Sequence, residues 1–337
     1  MTATSMGHGE PEAWVSTGQL PTPDQIRALI DEAYERYRGV TDGAVADYIP
    51  ALGVVDPALF GVAVVGANGR EHSAGDAMHP FTIQSISKAF VFALVLEALG
   101  ADEARDRLGV NSTGLPFNSV MAIELQAGHS TNPMVNAGAI ATTSLAPGDT
   151  AEAKWEHVRE GLSAFAGREL AMDDEVYASE AASNQHNAGI AHLMHSYDRL
   201  WFDPDEANDV YTRQCSLLVT AHDLAVMGAT LANGGVNPVT GVRVISPDHC
   251  HRALAVMMTC GLYENSGEWL YEIGLPGKSG VGGGIVTVSP GKGGLATFSP
   301  PLDAAGNSVR GRLATAFLSR RLGLNLLASA PAGTLDR

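Results

Sequence analysis

The sequence predicts an α+β protein: an antiparallel sheet flanked by helices, with a helical subdomain inserted between the two sheet-forming ends of the chain. Three observations predict it. Short β-type runs occur near the start, at 58–67, and return in the Gly-rich stretch 267–299. Between them, over about 85–261, helical patterns alternate with Gly and Pro loops. The 337 residues are 45% hydrophobic and 17% charged, enough apolar surface for a sizeable core, which excludes wholesale disorder. No internal repeat or low-complexity linker divides the chain. The expected organisation is a flexible tail over 1–20 and one domain over 21–330, with sheet-forming parts at about 21–84 and 262–330.

The elements follow in order. Residues before Pro21 are rich in Gly, Ser, Thr and Pro without a hydrophobic period and read as the tail. Thr22 caps a helix carrying Ile26, Leu29, Ile30 and Ala33 on one face. Ala58–Ala67, with Phe60, Val62, Val64 and Val65 and a closing Asn68-Gly69, reads as a strand and a turn; Phe81–Gln84 reads as a second short strand. Ser85–Leu99 is apolar nearly all round and stops at Gly100, the pattern of a buried helix. Glu152–Ala166 is amphipathic, and Asp223–Ala232 is a further helix closed by Asn233-Gly234-Gly235. Gly284–Val288 and Leu295–Phe298 are short runs separated by turns, hence antiparallel strands, and Leu313–Leu327 reads as the last helix.

Charge and cysteine usage narrow the function class. With 21 Lys and Arg against 37 Asp and Glu, the net charge is −16. Phosphate backbones and anionic lipid surfaces need clustered cations, so neither nucleic acid nor membrane is an expected partner. Cys215, Cys250 and Cys260 have no zinc or redox spacing and read as structural thiols of a reducing compartment. The N-terminus lacks the basic start and apolar run of a secretory signal, and the longest apolar stretch, Ala89–Leu99, is broken by Glu97 and is far short of the ~20 residues of a membrane span. The expectation is a cytoplasmic protein. Among 11 histidines no His-Glu-x-x-His cluster occurs, and His249 and His251, flanking Cys250, are not read as a metal site.

The sharpest chemical signal is FTIQSISK, Phe81–Lys88. Ser85 and Lys88 are three apart at the head of a helix, so their side chains share a face. A serine hydroxyl becomes a nucleophile when a base takes its proton, and a lysine is such a base once apolar surroundings disfavour its ammonium form. Lys88 opens a stretch with no other charge until Glu97. The helix N-terminus adds partial positive charge beside a developing oxyanion. Ser-x-x-Lys alone is common and by itself reads as ordinary helix surface; the charge-free stretch after Lys88 is what raises it. A second signal is KSGVGGGI, Lys278–Ile285. It lacks the spacing of a phosphate loop and reads instead as an edge strand whose glycines let its backbone approach a ligand closely. Lys-Ser-Gly on a strand with Ser-x-x-Lys on a helix is the two-part signature of serine acyl-transfer enzymes of the penicillin-recognising class.

The remaining polar clusters are NPMVNAGAI (132–140), where Asn136 suits an amide reaching from a tight turn; YASEAASNQHN (177–187), with Glu180 and Asn187; YTRQCS (211–216); and GLYENSGEW (261–269), with Tyr263. Each taken alone reads equally well as structural. Together with FTIQSISK and LPGKSGVGGGI, and in this order, they resemble the serine-dependent glutaminase family. GAVADYIPAL (43–52) and SPPLDAAGNSVRG (299–311) are similar to it too, so the resemblance spans roughly Ile26–Leu327. Ser130-Thr131 departs from the Pro-His often found before Asn-Pro-Met in the family, away from any catalytic position.

The resemblance implies a β-lactamase/transpeptidase-like fold and hydrolysis of the side-chain amide of L-glutamine to L-glutamate and ammonia, without metal or cofactor. It implies Ser85 as nucleophile, Lys88 as its base and Tyr263 as an aid to proton transfer. It implies Asn136, Glu180, Asn187 and Tyr211 as the substrate-binding set, Tyr48 and Gln84 as pocket lining, and the Val281 N–H beside that of Ser85 as an oxyanion hole. It also implies a homodimer or homotetramer. Two other readings stay open on the residues alone: a β-lactamase, peptidase or esterase of the same fold, and a binding protein that kept the pocket.

Overall fold

The computed structural model describes residues 20–328, so the expected tail, apart from Leu20, lies outside the described residues. The elements are α1 (Pro23–Tyr37), β1 (Gly61–Gly66), β2 (Glu71–Gly75), β3 (Phe81–Thr82), α2 (Ser87–Leu99), α3 (Ala101–Leu108), α4 (Met121–Glu124), α5 (Asn136–Ser144), α6 (Ala151–Ala166), α7 (Asp174–Ala181), α8 (Gln185–Ser196), α9 (Pro204–Cys215), β4 (Leu218–Val219), α10 (Ala221–Ala232), α11 (Pro247–Cys260), α12 (Ser266–Glu272), β5 (Gly277–Ser279), β6 (Gly284–Ser289), β7 (Gly293–Phe298) and α13 (Val309–Arg321). Among them no helix is long and apolar enough to cross a membrane.

Five strands form one sheet in the order β2-β1-β7-β6-β5, every pair antiparallel. The two ends of the chain do share a sheet, joined where β1 meets β7 with Val62 opposite Thr297 and Val64 opposite Leu295. Alternation along the strands sorts the side chains into two layers. Val62, Ile285 and Leu295 pack with Leu29, Ile30 and Ala33 of α1 and Ala314 and Leu318 of α13. Ala63, Val65, Val286 and Phe298 face the other way, into a larger core with α10, α2 and the rest of the helical part. The helical part holds one small sheet of its own, β3 with β4.

Several elements form for the reasons their sequence gives. Thr22 closes a capping box with Gln25 at the start of α1. From Ser87 to Leu96 every residue of α2 is buried, as its all-round apolar pattern requires. Other elements differ from expectation. β2 has no apolar alternation, because it is the outer strand of the sheet and stays half in water. The last helix begins at Val309 and ends at Arg321, four residues earlier and six earlier than the apolar pattern suggested: Ser308 caps it with its hydroxyl, and beyond Leu322 the chain is a loop in which Leu324 is buried while Leu326 and Leu327 are exposed. Gln84 does not belong to the strand. The strand ends at Thr82, and Gln84–Ile86 form a single 3₁₀ turn before α2.

Candidate active site

That turn carries Ser85. Ile83 N–H donates to Leu217 O across the end of the small sheet, and the chain then enters Gln84 with φ 51°, a left-handed conformation rarely held by a side-chain-bearing residue. A buried chain of hydrogen bonds fixes it: Thr143 Oγ1 donates to Gln214 Oε1 (2.9 Å), Gln214 Nε2 to Ser87 Oγ (2.9 Å), and Ser87 Oγ to the Gln84 carbonyl (2.7 Å). Tyr263 is strained in the same way, at φ 55°. Such backbone costs roughly 1–3 kcal/mol per residue and persists where the surroundings over-determine it. Two of the four described non-glycine residues with positive φ thus meet at one place.

The glycines after Lys278 also have a use within the chain. A Cβ on Gly280 would stand 2.9 Å from Ile83 O, and one on Gly282 would stand 2.6 Å from Thr82 O. These two glycines let the strand end approach the chain's own serine turn. β5 is the edge strand, as read, but it ends at Ser279; Val281 lies in the turn that follows, and its N–H meets no acceptor among the described residues.

Lys88, the second residue of α2, is fully enclosed, 1% exposed. Burial drives its amine down to about 8. Its Nζ donates to Asn136 Oδ1 at 2.7 Å and lies 5.9 Å from the ring centroids of both Phe117 and Tyr211. Among the described residues no hydrogen bond joins Lys88 to Ser85; the Asn136 carbonyl takes the amine instead. Asn136 is the first residue of α5 and not a turn residue, and its Nδ2 donates onward to Asn187 Oδ1 (3.0 Å) on α8. Glu180, near the end of α7, accepts from Gln84 Nε2 at 2.5 Å. Burial raises its carboxyl to about 7, the Gln84 amide pulling back. Tyr211, on α9, is buried and its phenol is pushed well up by burial and then by Cys215. The Tyr263 phenol is likewise raised by burial while the Ser85 hydroxyl beside it pulls the other way, so it stays protonated at neutral pH. Its oxygen donates to Ser279 O at 3.2 Å. Tyr48, by contrast, is 62% exposed and stands at the rim, on the wall of a cavity that it shares with Val281 and Phe117.

The described cysteines are free and buried, and His249 bonds Glu97 (2.6 Å) and Ser246 (3.0 Å). The arrangement therefore presents a hydroxyl, an amine held near neutrality and a phenol at one strained turn, with a carboxylate and two amides beyond them.

The family model described as Glutaminase matches residues 43–327. "Glutaminase 2" of Yersinia pestis is 59% identical over 318 residues, 94% of either chain. The chain belongs to the glutaminase family. The glutaminases are also its structural relatives. The solved structure of the probable glutaminase ybaS superposes with a TM-score of 0.90 at 47% identity, covering 92% of this chain and all of that one. The covalent complex between the Bacillus subtilis glutaminase YbgJ and 5-oxo-L-norleucine, formed by reaction with 6-diazo-5-oxo-L-norleucine, superposes with a TM-score of 0.81 at 31% identity, covering 89% of this chain and 99% of that one. The architecture, an antiparallel sheet flanked by helices with a helical insert, is the β-lactamase-like fold.

Two residues of this glutaminase-family site escaped the sequence reading. Lys278 is fully buried, its Nζ 4.6 Å from the Tyr263 ring centroid, and it donates to the same Ser279 carbonyl (2.8 Å) that Tyr263 uses. Burial first, and Lys88 second, hold its amine well below the ordinary range. Its Lys-Ser-Gly motif was the available signal. Phe117 packs on Tyr263 with ring centroids 4.7 Å apart, and nothing in its Pro-Phe-Asn context marks it.

Proposed function

We propose that the chain hydrolyses the side-chain amide of L-glutamine to L-glutamate and ammonia through a glutamyl ester on Ser85. The observation that carries this reading is the buried Lys88 amine, held at about 8 at the head of the Ser85 helix. A general base works best with a pKa near the working pH, and this one is neutral in useful amount there. Ser85 Oγ attacks the amide carbon as its proton passes to Lys88. The oxyanion is held by the N–H groups of Ser85 and Val281. The carbon–nitrogen bond breaks as the leaving nitrogen takes a proton through the Tyr263 phenol, and ammonia departs. Water then adds to the ester, giving glutamate and restoring the Ser85 hydroxyl. Glu180 pairs the substrate ammonium, while Asn136, Asn187 and Tyr211 offer neutral groups to the carboxylate and Gln84 and Tyr48 close the sides. When substrate enters, Asn136 exchanges part of its bonding to Lys88 for bonding to the ligand. That the Bacillus subtilis relative forms a covalent complex by reaction with 6-diazo-5-oxo-L-norleucine supports a covalent route.

The test is release of ammonia and glutamate from L-glutamine by the purified protein beside Ser85→Ala. Equal release of both products by the wild type and none by the variant is expected. A folded wild type that releases neither overturns the reading and favours another amide or a binding role.

The reading extends to residues 21–330 as one catalytic domain, to a cytoplasmic protein and to a homodimer or homotetramer. Three buried free thiols support a reducing compartment. Cell fractionation tests the compartment, and a monomeric mass by light scattering would remove the oligomer.

A further inference from the structure

Resting on that reading, we propose that the cavity beside the Ser85 turn is a leaving-group subsite, and that the chain also hydrolyses glutamines carrying an uncharged alkyl or aryl substituent on the side-chain nitrogen. The cavity measures about 720 Å³, within the size range of small-molecule pockets, and lies between the loops 43–48 and 302–306. It adjoins the site through Val281, Phe117 and Tyr48, which line it; neither the nucleophile and its base nor the residues assigned to the amino-acid end do.

The wall on that side is thin. A Cβ placed on Gly306, in the cavity wall, would stand 3.6 Å from Tyr263 Cε2 and 3.6 Å from Val281 Cγ1, so the ring that serves the leaving nitrogen lies directly behind that wall, beside the residue that holds the oxyanion. Most of the rest of the lining is apolar, including Leu302, Ala305 and Val309; Asn118 and Asp303 are its polar side chains. Its carboxylate, Asp303, is already occupied: Oδ1 accepts from the Ala305 and Asn307 N–H groups and Oδ2 from Asn265 Nδ2. A charged substituent gains nothing there, and an uncharged one leaves water for an apolar wall. The chemistry is unchanged. Ser85 Oγ bonds to the amide carbon, the carbon–nitrogen bond breaks, the nitrogen takes the serine proton and leaves as a primary amine, and water hydrolyses the same ester.

The test compares L-glutamine, γ-L-glutamyl ethylamide and γ-L-glutamyl anilide on the wild type and on Ala305→Trp, which fills the cavity without touching the reacting groups. The wild type is expected to release ethylamine and aniline with kcat/KM within about a hundredfold of that for glutamine, the scale on which one misplaced apolar group is discriminated. Ala305→Trp is expected to lower both by about tenfold or more and to leave glutamine within about twofold. Ala304→Trp, at an exposed position on the same wall, decides the matter if Ala305→Trp does not fold. A wild type that hydrolyses glutamine and neither substituted amide overturns the subsite alone, as does substituted-amide turnover unaffected by the tryptophan. A wild type inactive on all three overturns the underlying reading as well.

Discussion

Lys88 and Glu180 must both be deprotonated for the proposed reaction, and this sets the pH dependence of the site. Lys88, lowered to about 8, must lose its proton to act as a base, and Glu180, raised to about 7, must lose its proton to pair an ammonium. Both requirements fail as pH falls. The expected kcat/KM profile rises through pH 7 to 8 with a slope above one at its acid end. In Glu180→Gln the step near 7 disappears and the one near 8 remains. The same variant is expected to raise KM by about a hundredfold or more, because it leaves a buried ammonium without its counter-charge. Lys88→Ala is expected to lower kcat by roughly 10²–10⁴ while glutamine binding stays measurable, since the base acts on the serine and not on the substrate; calorimetric titration beside a turnover assay separates the two. At this scale the sequence was informative about residue types. Ser85, Lys88 and Tyr263 could be named, but the amine's hydrogen bond to Asn136, 48 positions along the chain, could not. Nor could the burial of Lys278, because a lysine on an edge strand ordinarily faces water.

Between elements, two contacts hold the site in place. The turn after β5 lies against the serine turn, and Gly282 leaves no room for a side chain beside Thr82 O. Gly282→Val is expected to push the Val281 N–H away from Ser85, lowering kcat by more than tenfold on the scale of a lost oxyanion donor. Stopped turnover with intact circular dichroism would identify this displacement, and unchanged kcat would exclude it. The second contact is Arg310 of α13. Its guanidinium donates to Ser299 Oγ (2.7 Å) and to the carbonyls of Arg38 (3.4 Å), Pro57, Ala58 (3.2 Å) and Leu59 (3.1 Å), closing both ends of the loop that carries Tyr48. Arg310→Leu leaves these part-buried carbonyls without their donor and is expected to cost about 1–3 kcal/mol, read as a lower denaturation midpoint in urea. The sequence reading located the helix that carries Arg310 but began it four residues late. Its apolar residues, from Leu313 on, gave a period, whereas the true start is set by the Ser308 hydroxyl on Gly311 N–H. It missed β2 for a related reason, since an outer strand wetted on one side needs little apolar residue content.

Over the whole molecule, the larger core runs without a break from Val65 and Phe298 of the sheet through Leu224 of α10 to Phe90 of α2 and Phe165 of α6. The sheet and the helical part are therefore expected to unfold together. Trp155 sits in this core and Trp269 in the layer beneath α1 and α13, so tryptophan fluorescence and far-ultraviolet circular dichroism should give coincident urea transitions; two separated transitions would show that the parts are independent. The sequence by itself determined the fold class, the meeting of the two chain ends in one sheet, and the ordered motifs by which the glutaminase family is recognised. These rest on hydrophobic period and on residue identity, which are local. Only the tertiary structure decided that the Gly-rich strand end presses on the serine turn, that Lys88 bonds Asn136, that Tyr48 stands at a rim, and that a cavity lies between the loops 43–48 and 302–306. Those facts depend on which distant segments exclude water together, and no window along the chain contains them.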